Sequence, residues 1–164
     1  TMNAEEGAVR RGLTYELIDH YLGRPYVDWA ARYKQLLTTM LGNAKVAVEA
    51  KAASPDKVGP SLSLGRYAGQ YKDPWYGRIT VSQAKSGLAI NFNETPRMSG
   101  PLVHYQYDTF IARFEDKGIE PAYVTFGLDA EGKVDHITMK PVSPTADFSF
   151  DYQDLNFTPL ASAR

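Results

Sequence analysis

The sequence predicts a mainly β protein: an eight-stranded antiparallel up-and-down barrel preceded by two N-terminal helices. Apolar residues recur at every second position in several short segments between Gly65 and Phe157, the period of strands with one buried face. Turn signals close these segments, and no helical pattern runs between them, which excludes a parallel α/β core. An even number of consecutively paired strands can also close on itself and remove its exposed edges, so a barrel is preferred to a sandwich.

The elements follow in order along the chain. Residues 14 to 50 read as two helices. Thr14 is a candidate N-cap for the first, which Gly23 and then Pro25 terminate. Asp28 is the candidate N-cap of the second, where Ala30, Tyr33, Leu37, Met40, Leu41, Ala44 and Val48 form one apolar stripe that needs something to lie against. Residues 51–61 carry two prolines, a glycine and small residues and read as a linker. Strands are expected at 65–72, 76–84, 87–93, 101–107, 109–115, 121–128, 133–140 and 146–152. Their inward residues include Ile79, Val81, Leu88, Ile90, Phe92, Phe110, Ala112, Phe114, Ala122, Val124, Phe126, Leu128, Phe148, Phe150 and Tyr152. Gly87, Gly118 and Gly132 stand where short hairpin loops want a left-handed residue. Of the 20 aromatic residues, 15 follow Pro60, and rings of that size dominate the burial energy of a β core.

Composition narrows the function classes. The 164 residues, 43% hydrophobic and 23% charged, suit one sizeable core and give no reason to expect global disorder. Up to Pro60 there are 8 basic and 7 acidic residues, and beyond it 10 and 12. Neither part has the excess that would draw it to nucleic acid or to an anionic membrane. No apolar run approaches the roughly 20 residues of a membrane-spanning helix, so no membrane insertion is expected. Without cysteine there is no disulfide framework or thiolate metal site, and no metal or cofactor is expected. The chain reads equally as a whole small protein or as a piece of a longer one.

Two short matches resemble elements of penicillin-recognising serine hydrolases: Ser54-Pro55-Asp56-Lys57 fits S-x-x-K and Lys85-Ser86-Gly87 fits K-[ST]-G. That chemistry needs the serine and lysine one helical turn apart in a rigid, dry site. Here the first match lies in the linker and the second in a hairpin turn, so no catalytic residue is expected. His20, His104 and His136 lie in separate elements, the pattern of structural histidines. Asp147, Asp151 and Asp154 read as a solvated strand face. Gly65, Gly69 and Gly77 do not sit in a strand-to-helix loop, so no phosphate cradle is implied. The candidate ligand residues are the polar-tipped aromatics Tyr67, Tyr71, Trp75 and Tyr76, with His104, Tyr105 and Tyr107. They would either line the mouth of the barrel and hold a small hydrophobic molecule or fill the interior themselves.

Several segments together resemble a known family. Leu64-Gly65-Arg66-Tyr67-Ala68-Gly69-Gln70-Tyr71, Tyr76-Gly77, Val81, Gly87-Leu88, Pro101-Leu102, His104-Tyr105, Tyr107-Asp108-Thr109-Phe110, Phe126, Gly132-Lys133-Val134 and Ala146-Asp147-Phe148-Ser149-Phe150 resemble the lipocalin-like C-terminal domain of unknown function of β-lactamase-related serine hydrolases, the class C and penicillin-binding-protein-like enzymes. Upstream, Ile18-Asp19-His20-Tyr21-Leu22-Gly23 and Asp28-Trp29 are similar to the tail of the catalytic domain in those proteins.

The resemblance implies a helical connector at 1–50, the linker at 51–61, a lipocalin-like barrel at 62–158 and a tail at 159–164. It implies a noncatalytic accessory domain that restricts substrate access or mediates domain packing and self-association. Its partners would be the covalently linked, N-terminal catalytic domain and other copies of the chain, in a periplasmic or extracellular setting. The alternative is a free-standing lipocalin-like binding module for a small hydrophobic ligand.

Overall fold

The computed structural model describes residues 7–52, 58–85, 87–144, 146 and 151–160. The chain divides into two compact units, Thr1–Glu49 and Ala50–Arg164. The first holds helix α1 (Gly7–Tyr21) and most of helix α2 (Trp29–Ala52).

α1 ends as its sequence requires. Gly23 is left-handed at φ 65°, its N–H donates to the His20 carbonyl at 3.1 Å and that of Arg24 to Asp19 at 2.9 Å, a Schellman closure. Asp28 caps α2 through Oδ1, which accepts the Ala31 N–H at 2.7 Å. Thr14 is not the cap of α1, which begins a full turn or more earlier. Its hydroxyl donates to the Arg10 carbonyl inside the helix at 2.9 Å. The two helices are tied by the Trp29 indole N–H on Asp19 Oδ2 at 2.6 Å and by Tyr15 against Trp29, ring centroids 5.3 Å apart. In the expected stripe Ala44 is buried, whereas Leu37, Met40 and Leu41 are each close to half exposed. The side chain of Val48 lies outside the described residues.

The second unit is a closed barrel in which consecutive strands pair antiparallel: β1 (Gly69–Asp73), β2 (Gly77–Ala84), β3 (Gly87–Phe92), β4 (Ser99–Gln106), β5 (Thr109–Ala112), β6 (Ala122–Leu128), β7 (Val134–Pro141) and β8 (Asn156–Pro159). β1 and β8 close it, Tyr71 opposite Pro159 and Lys72 opposite Thr158. The alternating residues named from the sequence do point inward: Ile79, Val81, Leu88, Ile90, Phe92, Phe110, Ala112, Phe114, Ala122, Val124 and Phe126 are all buried. Leu128 is half-buried. At Gly100 a Cβ would lie 2.0 Å from the Arg113 carbonyl oxygen, so only glycine lets β4 approach the chain leaving β5 this closely.

Both ends of the barrel differ from the expected strands. Residues Leu64–Arg66 form a 3-10 turn, closed by Arg66 N–H on the Ser63 carbonyl at 2.9 Å, and the first strand starts only at Gly69. The closing strand is Asn156–Pro159 rather than 146–152. Of that expected strand, 147–150 lie outside the described residues, and Tyr152 opens a 3-10 turn that its hydroxyl anchors on the Glu120 carbonyl at 2.7 Å. Leu155 and Phe157 supply the buried side of the closing segment instead. Gly87 and Gly132 take positive φ as expected, and Gly118 does not. In its turn Asp116 Oδ1 accepts the Gly118 N–H at 2.9 Å. The S-x-x-K match at 54–57 and Ser86 of the K-[ST]-G match also lie outside the described residues.

Candidate functional site

The barrel interior holds two of the candidate aromatics. Tyr67 is 0% exposed, its ring edge-on to Phe126 at 4.9 Å and to Phe110 at 5.4 Å. Its hydroxyl donates to Asp108 Oδ1 and accepts the Leu62 N–H at 3.0 Å. Tyr71 packs on Phe126 at 6.3 Å and donates to the Tyr67 carbonyl at 2.7 Å. Burial, reinforced at Tyr67 by the bond to Asp108, pushes both phenols up to about 12. With Phe92, Phe110, Phe114, Phe126, Tyr152 and Phe157 these rings form one continuous core.

Asp108 joins the barrel to the segment that precedes it. It accepts the Ser61 N–H on Oδ1 and the Ser61 hydroxyl on Oδ2, both at 2.8 Å, and the Tyr107 N–H donates to the Val58 carbonyl at 2.9 Å. Burial works against ionisation of Asp108, but its donors Tyr67 and Ser61 outweigh it and hold the pKa below the ordinary value. His104 packs edge-on against Phe110 at 5.3 Å, and its Nε2 lies 2.9 Å from the Tyr107 carbonyl. Tyr105 packs on Tyr123, centroids 4.9 Å apart, and Tyr107 is an exposed turn residue at φ 49°. They lie on a different part of the barrel from Trp75 and Tyr76.

Trp75 and Tyr76 lie elsewhere, in a cleft of about 640 Å³ beside the β1–β2 turn, lined also by Asp73, Asp151, Asp154 and Asn156. The turn is built by Asp73, only 4% exposed. Its Oδ1 accepts the N–H groups of Trp75 at 2.8 Å and Tyr76 at 3.0 Å, an Asx turn, and its Oδ2 accepts that of Asn156 in β8 at 3.0 Å. Burial disfavours the Asp73 carboxylate, yet these three donors prevail and lower its pKa. Gly77 leaves the turn at φ 76°, a conformation only glycine adopts without strain. The Tyr76 hydroxyl points at Asp151 Oδ2, 3.4 Å away. Partial burial and the negative charges of Asp151, Asp154 and Asp73 raise its pKa, as an electronegative cleft demands. Asp151 sits at φ 38°, a left-handed conformation that aspartate tolerates better than most residues.

Asp73 and Asp108 were not singled out as functional from sequence, although Asp73-Pro74 is a turn-initiating pair that could have signalled the first. Asp151 and Asp154, read as a solvated strand face, line the cleft instead. Among the described residues no group of three or more histidine, aspartate or glutamate side chains is placed to hold a metal ion.

Residues 53–159 match the family model described as a domain of unknown function, DUF3471. The chain belongs to the DUF3471 family. No curated protein and no solved structure matches it. The DUF3471 match ends with β8 and starts at the residue after α2, so the family is defined by the barrel and its lead-in.

Proposed function

We propose that this DUF3471 barrel is a noncatalytic accessory domain of a β-lactamase-like serine hydrolase, which restricts access to the enzyme's substrate site or mediates domain packing and self-association. One observation carries the reading: the interior is occupied by the chain's own rings, Tyr67, Phe110 and Phe126 meeting edge to face at 4.9–5.6 Å. A filled barrel acts through its rims and outer surface. The half-exposed Leu36, Leu37, Met40 and Leu41 of α2 are the kind of apolar surface a neighbouring domain or second copy covers. The sequence resemblance supports the choice of a β-lactamase-like parent enzyme and of an exported setting. The same packing disfavours the alternative of a small hydrophobic ligand inside the barrel.

The test has two parts. The reading frame upstream of Thr1 is expected to encode a domain with a helical S-x-x-K and a Y-x-N, and deletion of 62–158 from that protein is expected to change its substrate range or its assembly state. A frame without such a domain would refute the reading, as would sustained turnover of a chromogenic β-lactam or ester by this chain alone.

A further inference from the structure

We infer that the cleft beside the β1–β2 turn is a binding site for an organic cation, an alkylammonium or guanidinium group held between the rings of Trp75 and Tyr76 and the carboxylates of Asp151 and Asp154. The inference stands independently of any parent hydrolase. Trp75 is 93% exposed, yet it is not on a floppy loop: its own backbone N–H and that of Tyr76 are fixed on buried Asp73. An indole held rigidly in water exposes apolar surface that its own fold leaves unburied. It does so in a concavity of about 640 Å³, within the size range of small-molecule sites.

The electrostatics select the ligand. The described lining contains three aspartates and no lysine, arginine or histidine. Asp73 is already satisfied by three backbone donors, and among the described residues Asp151 receives only the long bond from Tyr76. An anion would be repelled, and a neutral apolar molecule would strand the carboxylates. A cation with an apolar skin satisfies both halves of the lining, its charge on Asp151 and Asp154 and its methylene or methyl surface on the negative faces of the rings. The group could arrive on a free small molecule or on a lysine or arginine side chain of a protein.

The test is a titration of the full chain followed by amide and indole NMR shifts. The probes are tetramethylammonium, butylammonium, neutral tert-butanol, acetate, and a short peptide with one central lysine and capped ends. We expect saturable shifts at Trp75, Tyr76 and 151–156 with the cations, with Kd on the order of 1 mM for the small probes. Trp75→Ala should weaken binding roughly fivefold to tenfold, and the Asp151→Asn, Asp154→Asn double variant by a similar factor or more. Both changes lie at the surface, and Glu131→Gln, which removes an exposed carboxylate outside the cleft lining, is a check that binding follows the cleft and not general charge. A tighter fit for the peptide assigns the site to a protein side chain, and a tighter fit for the free cations to a small molecule. Equal shifts with tert-butanol, no saturation with any cation, or unchanged affinity in both variants would overturn the inference.

Discussion

Asp73 should be the most costly single surface-proximal carboxylate to remove from this barrel. In Asp73→Ala the N–H groups of Trp75, Tyr76 and Asn156 lose acceptors at 2.8, 3.0 and 3.0 Å. Bonds to a charged acceptor contribute about 1.5–3 kcal/mol each when nothing replaces them. Water can reach the turn amides once the carboxylate is gone, so these two are counted at about 0.5–1 kcal/mol each, and the Asn156 bond across the β1–β8 seam at about 2 kcal/mol. The sum is about 3–4 kcal/mol, which for a unit of about 100 residues lowers Tm by roughly 15 °C. Asp73→Asn should cost about half as much, because one oxygen still serves Trp75 and Tyr76 while the amide group meets the Asn156 N–H donor to donor.

The pH dependence has a definite sign. The folded-state pKa of Asp73 is lowered, so its contribution is present above the unfolded carboxylate pKa of about 3.9 and fades as pH falls through the folded value. Thermal melts of wild type and both variants at pH 7 and pH 3 would therefore show the gap shrinking in acid. A loss below about 0.5 kcal/mol for Asp73→Ala, or a gap that widens in acid, would refute the reasoning.

Other substitutions probe separate parts of the molecule. Asp108→Asn should release the segment at Ser61 and Leu62, raising hydrogen exchange at those two amides roughly tenfold while exchange in β6 stays unchanged. Gly100→Ala places a methyl 2.0 Å from the Arg113 carbonyl oxygen and should cost about 3 kcal/mol or more, whereas Gly59→Ala, with nothing within 4 Å, should leave Tm unchanged. In an alkaline absorbance titration Tyr67 and Tyr71, both pushed up to about 12, should stay protonated after the exposed tyrosines have ionised. Because those folded pKa values lie above the unfolded value of about 10, the stability these two phenols contribute should be lost as pH rises from about 10 towards 12.

The barrel was largely legible because burial imposes a period of two, and Ile79, Val81, Leu88, Ile90 and Phe92 carry that period without interruption. The closing strand was not. Two alternating runs compete near the end of the chain, Phe148-Phe150-Tyr152 and Leu155-Phe157, and local periodicity favours the first, the longer of the two. What decides for the second is tertiary: the Asn156 N–H meets a buried carboxylate from β1, 83 positions away, and Phe157 packs on Phe92 at 5.7 Å. The same distance effect hid half of the cleft. Trp75 and Tyr76 stood out as a local aromatic pair, but Asp151 reaches Tyr76 across 75 positions, and only closure of β8 on β1 brings them together. Since Asp73 bonds both the turn that carries the rings and the strand that follows the aspartates, seam and cleft share one fastening. A change that opens the seam must therefore disperse the cleft, whereas a change confined to Trp75 can empty the cleft of its ring and leave the seam closed.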